Sequence, residues 1–226
     1  MMNSFFKQML MDASILVLCL MTVVFTSCDE HRDFPDTSTQ VCDILCTDGK
    51  VVSQSQFDKG GKEAIAVVYY VNHSEDVEGQ AFAVYLWDAE PSAFADSLGV
   101  KQGTSASLTA CDGNINTHAL YTCKDMGSPM AVSVFDMWRY GQSAYVPSVA
   151  QMHLLFSVRS QVNAVIGRLG GEPIPDNPDE CWYWTSTEVE NQESVKGWLF
   201  SLSTGTYHEC PKDQSHKVRP IVTIYQ

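Results

Sequence analysis

A single stretch, Cys181–Glu190 (CWYWTSTEVE), holds many of the residue types that bind ligands or do chemistry. It combines a thiol, three adjacent aromatic rings, hydroxyl side chains and two carboxylates. In a β-strand, neighbouring side chains point to opposite faces. Trp182 and Trp184 then share one face, and Tyr183 and Thr185 share the other. We therefore expect one face of this strand to belong to the core and the other to form a display surface.

The predicted display surface suits the recognition of a ligand. Aromatic rings offer a stacking face at low entropic cost, and hydroxyl and amide groups offer hydrogen bonds. The segment Tyr207–Glu209 follows the next predicted strand and is expected to complete the surface. The predicted core anchors are Trp182, Trp184 and Trp198. The predicted ligand-binding residues are Tyr183, Thr185, Thr187, Glu188, Glu190, Asn191, Tyr207 and His208.

No set of residues with recognisable catalytic roles stands out in the sequence. Nucleophilic catalysis needs a nucleophile, a base and an orienting group within reach of one another. Gly-x-Ser-x-Gly, His-Glu-x-x-His, phosphate-loop and dinucleotide motifs are all missing. Glu188 and Glu190 would share a face in an extended segment, but acidic pairs are common on an acidic surface. We predict that the protein is not an enzyme and needs no cofactor.

The cysteines raise the question of disulfides. Outside the cytoplasm an even number of cysteines favours disulfide bonds, and the alternative is a set of reduced thiols. The simplest pairing is sequential: Cys42 with Cys46, Cys111 with Cys123, and Cys181 with Cys210. Zinc is disfavoured because Cys42 and Cys46 have no second pair of ligands at finger-like spacing, so no metal site is predicted. The disulfide candidates are Cys42, Cys46, Cys111, Cys123, Cys181 and Cys210.

Size and charge limit the class of protein. The 226 residues contain 14 Lys and Arg against 27 Asp and Glu, which gives a formal net charge of −13. A chain this acidic repels phosphate backbones, so we predict no nucleic-acid binding. The length leaves room for about one compact domain after a removable N-terminus. We place this domain at residues 41–226.

The N-terminus reads as a targeting signal. Ala13–Phe25 is an apolar run without charged residues, with Ser14 and Thr22 as its polar members. It is shorter than the roughly 20 residues of a membrane-spanning helix and typical of a signal peptide. It leads into Phe25-Thr26-Ser27-Cys28, which resembles a bacterial lipobox. We predict a signal peptide over residues 1–27, lipidation of Cys28 and a flexible tether over residues 28–40. The alternative is ordinary secretion with an unrelated cysteine.

The order of the predicted elements is strands, then helices, then strands, which indicates an α+β fold. A hairpin is predicted around Asp48-Gly49, and Ser148 with Gln151 predicts a helix start through a capping box. Further strands are predicted over Ala64–Val71, Gln80–Trp87, Trp182–Ser186, Gly197–Ser203 and Val218–Tyr225, with helices over Met130–Tyr140, from Val149, and over Gln161–Leu169.

Several phrases together resemble the lipoproteins of gut anaerobes that carry a C-type-lectin-like domain, distant relatives of formylglycine-generating-enzyme folds and of retroelement variable proteins. The resemblance implies a twisted antiparallel sheet with two main helices, a long loop region and paired N- and C-terminal strands. It also implies that the aromatic strand and the loop after it carry ligand. The phrases are Asp43-Ile44 with Asp48-Gly49-Lys50, Asp112–Thr117 (DGNINT), Tyr145–Ser148 (YVPS), Tyr183–Glu188 (YWTSTE), Trp198 in a strand and Val218-Arg219-Pro220.

The sequence departs from the calcium-dependent lectins of this fold. It has Glu172-Pro173-Ile174 where they have Glu-Pro-Asn or Gln-Pro-Asp, and it has no Trp-Asn-Asp. Calcium-mediated sugar binding is therefore not supported, and the alternative is that Asp176, Asn177, Asp179 and Glu180 offer oxygen ligands. The acidic residues Asp29, Glu30 and Asp33 after Cys28 resemble a surface-export signal of such lipoproteins. We expect a lipid-anchored, surface-exposed protein of the bacterial outer membrane that binds a glycan or a protein ligand without catalysis. The alternatives are a fimbrial tip or accessory subunit, a retroelement-diversified receptor and an enzyme similar to the formylglycine-generating enzymes.

Overall fold

The computed structural model describes residues 38–75, 77–137 and 144–225. Thr39–Gln226 form one compact unit. The predicted signal peptide over residues 1–27, the lipidation site Cys28 and residues 28–37 of the predicted tether lie outside the described residues. None of the described helices has the length and apolar character needed to cross a bilayer.

The described residues form ten strands and four helices, besides a 3₁₀ turn at Pro178–Glu180. The helices are α1 (Gln54–Phe57), α2 (Gly113–Thr122), α3 (Pro129–Phe135) and α4 (Val149–Arg168). The strands are β1 (Ile44–Cys46), β2 (Val51–Val52), β3 (Ala64–Val71), β4 (Ala81–Tyr85), β5 (Ala89–Ala93), β6 (Trp182–Glu188), β7 (Lys196–Ser201), β8 (Tyr207–Pro211), β9 (Ser215–Val218) and β10 (Ile221–Ile224).

The strands form two five-stranded sheets. The first has the order β10-β4-β3-β1-β2 and is antiparallel. The second has the order β5-β9-β6-β7-β8 and is antiparallel except where β9 runs parallel to β6. The α+β class is confirmed. The first and last strands share a sheet without pairing, because β10 pairs with β4 and not with β1.

The predicted C-terminal strand Val218–Tyr225 is two strands in different sheets. β9 belongs to the second sheet and β10 to the first, with only Arg219 and Pro220 between them. Proline has no N–H to donate to a ladder, so a strand tends to break there. The chain uses this break to cross from one sheet to the other.

Helix α4 begins as predicted and ends later than predicted. Gln151 N donates to Ser148 Oγ (3.4 Å) and Ser148 N donates to Gln151 Oε1 (3.0 Å), which confirms the capping box. The helix then continues for 20 residues. The prediction of a separate helix over Gln161–Leu169 is wrong, because no glycine or proline interrupts the backbone hydrogen bonding before Gly167.

Helix α3 is shorter than the predicted helix Met130–Tyr140. Ser128 caps its start, where Ala131 N donates to Ser128 Oγ (3.4 Å), and Pro129 occupies the first turn. Proline is favourable there because the first-turn N–H groups have no partner within the helix. The helix ends at Phe135, and Asp136 is the C-terminal cap.

All six disulfide candidates are free thiols in the structure, so the predicted pairing is not found among the described residues. Three of these cysteines are buried: Cys46, Cys181 and Cys210. Free cysteine packs as a small apolar residue, and burial raises the thiol pKa of each of these three. The core therefore uses them as packing groups.

Candidate functional site

Strand β6, the aromatic strand of the prediction, is buried on both faces. The predicted alternation is present: Tyr183 packs into a core cluster with Phe200, and Trp184 packs into a second cluster with Leu199. Both rings are 0% exposed. The prediction that four of the ligand-binding residues face outward is wrong, since the structure buries Tyr183, Thr185, Thr187 and Glu188.

The sequence did contain a signal for burial on both sides. A strand with one wet face alternates apolar and polar residues, whereas a strand covered on both faces has a continuous apolar run. Trp182, Tyr183 and Trp184 are such a run. Phe94 covers one face, with its ring edge-on to Trp184 at a centroid distance of 5.4 Å. Helix α4 covers the other face and contributes Leu155 to the cluster that holds Tyr183.

The buried hydroxyl groups satisfy backbone atoms. Thr185 Oγ1 donates to Trp198 O across the sheet (2.9 Å). Thr187 Oγ1 accepts from Val149 N, one of the free donors in the first turn of α4 (3.3 Å). Buried backbone groups without partners are costly, so these threonines stabilise the joint between β6 and α4. They are not available to a ligand.

Glu188 forms a buried ion pair with Lys212, a residue that no local sequence motif marks as functional. Lys212 Nζ lies 2.7 Å from Glu188 Oε1, and the two side chains are 0% and 1% exposed. Lys212 also donates to Val100 O (3.3 Å) and Glu193 O (3.1 Å), and Gln102 N donates to Glu188 Oε1 (3.0 Å). Burial lowers the Lys212 pKa, and Glu188 opposes this shift. The pair fastens three loops together.

The predicted core tryptophans divide into two groups. Trp184 is fully buried, as predicted. Trp182 and Trp198 are only half-buried, although each packs against a core cluster. Their partly exposed rings lie beside residues of β8, the last strand of the second sheet.

The exposed aromatic residues of this sheet gather at β8. His208 lies over Trp182 with ring centroids 4.3 Å apart, and Tyr207 lies against Trp198 at 5.2 Å. His153 of α4 meets the Tyr207 ring edge-on at 5.8 Å. We call these five residues the aromatic edge. Tyr207 is 38% exposed, and His208 and His153 are exposed.

Four of the predicted ligand-binding residues do lie at the surface. Tyr207 and His208 belong to the aromatic edge, and Glu190 and Asn191 are exposed in the turn between β6 and β7. That turn reaches β8 through Gln192, whose Nε2 donates to Glu209 Oε2 (3.3 Å). Lys196 at the start of β7 donates Nζ to the same oxygen (2.7 Å). The surface is therefore built around β8 and not around β6.

Cys210 contacts a histidine, as a nucleophilic cysteine must, but its pKa is raised and not lowered. Its Sγ lies 3.4 Å from His216 Nε2 and 3.3 Å from Gln214 Oε1. Burial, followed by the charge of Asp213, raises the Cys210 pKa to about 11. The thiolate is the nucleophilic form, so a raised pKa disfavours nucleophilic reaction of Cys210 near neutral pH.

We expect Cys210 to resist alkylation in the folded protein. At pH 8 iodoacetamide should leave it unmodified in buffer and modify it fully in denaturant, because burial disfavours the thiolate only in the folded state. Mass spectrometry of the peptides would measure both. Rapid modification of Cys210 in the folded chain at pH 8 would show that the thiol is activated.

Within the described residues, no group of three or more His, Cys, Asp or Glu side chains is arranged to hold a metal ion.

Comparison of the chain with known proteins finds no matching family model and no matching curated protein.

Proposed function

We propose that this chain is a lipid-anchored, surface-exposed protein of the bacterial outer membrane whose domain binds a glycan or a protein ligand without catalysis. The proposal includes a C-type-lectin-like arrangement of the α+β domain. The observation that carries the proposed ligand binding is the aromatic edge, where Tyr207 and His208 are exposed and each lies beside a half-buried tryptophan.

The chemistry of the aromatic edge favours binding. Exposed rings present an apolar stacking face together with a polar tip, and few rotatable bonds are fixed when a ligand binds. The tryptophans beneath Tyr207 and His208 pack against the core clusters, so the rings rest on a rigid base. The buried charges instead make structural contacts, as in the Lys212–Glu188 pair.

A binding measurement tests the proposal. Full-length chain in detergent is applied to arrays of glycans and surface proteins, and we expect Tyr207→Ala to weaken any hit by about tenfold, the equivalent of about 1.4 kcal/mol of lost stacking. Tyr121→Ala is the matched control, because Tyr121 is 41% exposed on α2, outside the aromatic edge. Equal loss in both variants, or no loss in either, would contradict the assignment of the site.

A labelling experiment tests the anchor. The apolar run before Phe25-Thr26-Ser27-Cys28 supports lipidation of Cys28. We expect an impermeant amine reagent to label the chain on intact cells, and Cys28→Ala to move the chain out of the membrane fraction. A chain that stays unlabelled on intact cells, with or without Cys28, would contradict surface display.

A further inference from the structure

Strand β8 is an edge strand. The order of the second sheet ends at β8, and no strand within the described residues pairs with its outer side. One backbone hydrogen bond lies at each end of the ladder between β7 and β8. Ser201 N donates to Thr206 O (2.8 Å) at one end, and Lys212 N donates to Val195 O (3.1 Å) at the other. Opposed residues in an antiparallel ladder alternate between pairs that exchange hydrogen bonds and pairs that do not.

This alternation determines which backbone groups of β8 point outward. The two end hydrogen bonds show that Thr206 and Lys212 belong to hydrogen-bonded pairs, so every second residue between them does too. His208 and Cys210 therefore direct their N–H and C=O groups to β7. Tyr207 and Glu209 therefore direct theirs away from the sheet. Pro211 has no N–H, so the outward row of donors ends there. The free edge offers the N–H and C=O groups of two residues, enough for one short segment of added strand.

The two faces of this edge both carry aromatic rings. Tyr207 and Trp198 lie on one face of the sheet, and His208 and Trp182 lie on the other. A strand added along β8 places its side chains alternately on these faces. On each face, every second side chain of the added strand would then contact an aromatic ring. An edge with rings on both faces suits an extended peptide.

Charge indicates what kind of peptide fits. Exposed carboxylates flank the strands of the aromatic edge in the sequence: Asp179 and Glu180 come just before Trp182, and Asp213 follows β8. Glu209 on β8 is also exposed, and one of its oxygens is paired with Lys196. The whole chain has a formal net charge of −13. A second copy would bring the same negative charge to this edge. A segment with Lys or Arg would find opposite charge, and its cations would lie over the rings.

We propose that β8 binds an extended, basic segment of another polypeptide by β-strand addition, with its side chains received on the two faces of the aromatic edge. The inference rests on the proposed function of the aromatic edge as the recognition surface. It adds the ligand class, which is a peptide strand, and the source of affinity, which is backbone hydrogen bonding to Tyr207 and Glu209.

The test uses substitutions at Glu209 that differ in one hydrogen-bond donor. Glu209→Ala removes the carboxylate and keeps the outward N–H, whereas Glu209→Pro removes both. Proline is tolerated at an edge position whose N–H faces away from the sheet. The probe is a fluorescent eight-residue peptide of alternating Arg and Val, with an alternating Glu and Val peptide as control. Binding to full-length chain in detergent is measured by anisotropy at 0.15 M salt.

We expect the basic peptide to bind, the acidic peptide not to bind, and Glu209→Pro to bind the basic peptide about fivefold more weakly than Glu209→Ala. Equal affinity of the two variants would overturn strand addition and leave non-specific attraction between charges as the explanation. If Glu209→Pro fails to fold, the basic peptide is varied instead. Two forms are made, each methylated on every second backbone nitrogen, one on the odd positions and one on the even positions. If both forms bind as tightly as the unmethylated peptide, strand addition is overturned.

The outcomes separate the two proposals. If Tyr207→Ala abolishes an array hit while the basic peptide shows no binding to the intact chain, strand addition is wrong and the aromatic edge keeps its recognition role. If Tyr207→Ala behaves like Tyr121→Ala for every ligand, including the basic peptide, the recognition role itself fails.

Discussion

Replacing Lys212 by methionine is expected to lower the free energy of unfolding by about 3–5 kcal/mol, because the Glu188 carboxyl group would stay buried without its ionic partner. The substitution also removes the donor that holds Val100 O and Glu193 O. Loss of this size is a large fraction of the roughly 5–15 kcal/mol that stabilises a typical domain. Urea unfolding followed by tryptophan fluorescence would measure it.

Two controls isolate the effect of the buried charge. Lys196→Met breaks the surface pair with Glu209, whose side chains are 34% and 37% exposed, and should cost at most about 1 kcal/mol. The double substitution Lys212→Met with Glu188→Met should recover much of the loss, since no unpaired charge remains. A Lys212→Met variant as stable as Lys196→Met would show that breaking the buried pair costs no more than breaking a surface pair.

Replacing Arg219 by methionine is expected to have a similar effect, about 3–5 kcal/mol, for a different structural reason. Arg219 lies between β9 and β10 and is 0% exposed. Its guanidinium donates to Tyr85 O (3.2 Å) and Glu172 O (2.9 Å), and its Nε lies 2.5 Å from Asp88 Oδ1. One side chain therefore ties the crossing between the sheets to the end of β4 and to the segment after α4.

The loss from Arg219→Met should depend on pH. Burial raises the Asp88 pKa, and Arg219 opposes that shift. Without the guanidinium the Asp88 pKa rises further, so the folded variant holds a proton that the unfolded chain releases. The variant then loses stability as pH increases through that raised pKa. We expect the difference in unfolding free energy between the variant and the parent chain to narrow from pH 7 towards pH 4.

Matched substitutions test this interpretation of Arg219. Arg168→Met breaks a surface pair with Asp58, whose side chains are 39% and 59% exposed, and should cost at most about 1 kcal/mol at either pH. Arg219→Lys keeps the charge but loses the planar fork of donors, so it should lie between the parent and Arg219→Met. A loss that is independent of pH would argue against an unpaired Asp88 as its cause.

The sequence predicted the local features because neighbours along the chain carry them. The α+β class follows from the order of strand and helix patterns. The start of α4 follows from Ser148 and Gln151, which are three residues apart and satisfy each other's backbone N–H groups. The opposite orientations of Tyr183 and Trp184 follow from the period of a strand.

The apolar run of Trp182, Tyr183 and Trp184 is compatible with burial on both faces, but the sequence does not say which segments cover those faces, because these segments are distant in the chain. Whether Tyr183 faces water depends on α4, which begins more than 30 residues earlier and packs over that face. The partners of Lys212 and Arg219 are likewise far along the chain, with Tyr85 more than 100 residues from Arg219. No local pattern marks either cation as buried.

The amino-acid sequence by itself thus determined the fold class, the capped start of the long helix and the two-sided splitting of the aromatic run, since each depends on dihedral preferences and hydrogen bonds within a few residues. Only the tertiary structure decided that both sides of β6 are core and that the exposed rings lie at β8. Burial is a property of what packs against a strand, and that is set by segments distant in the chain.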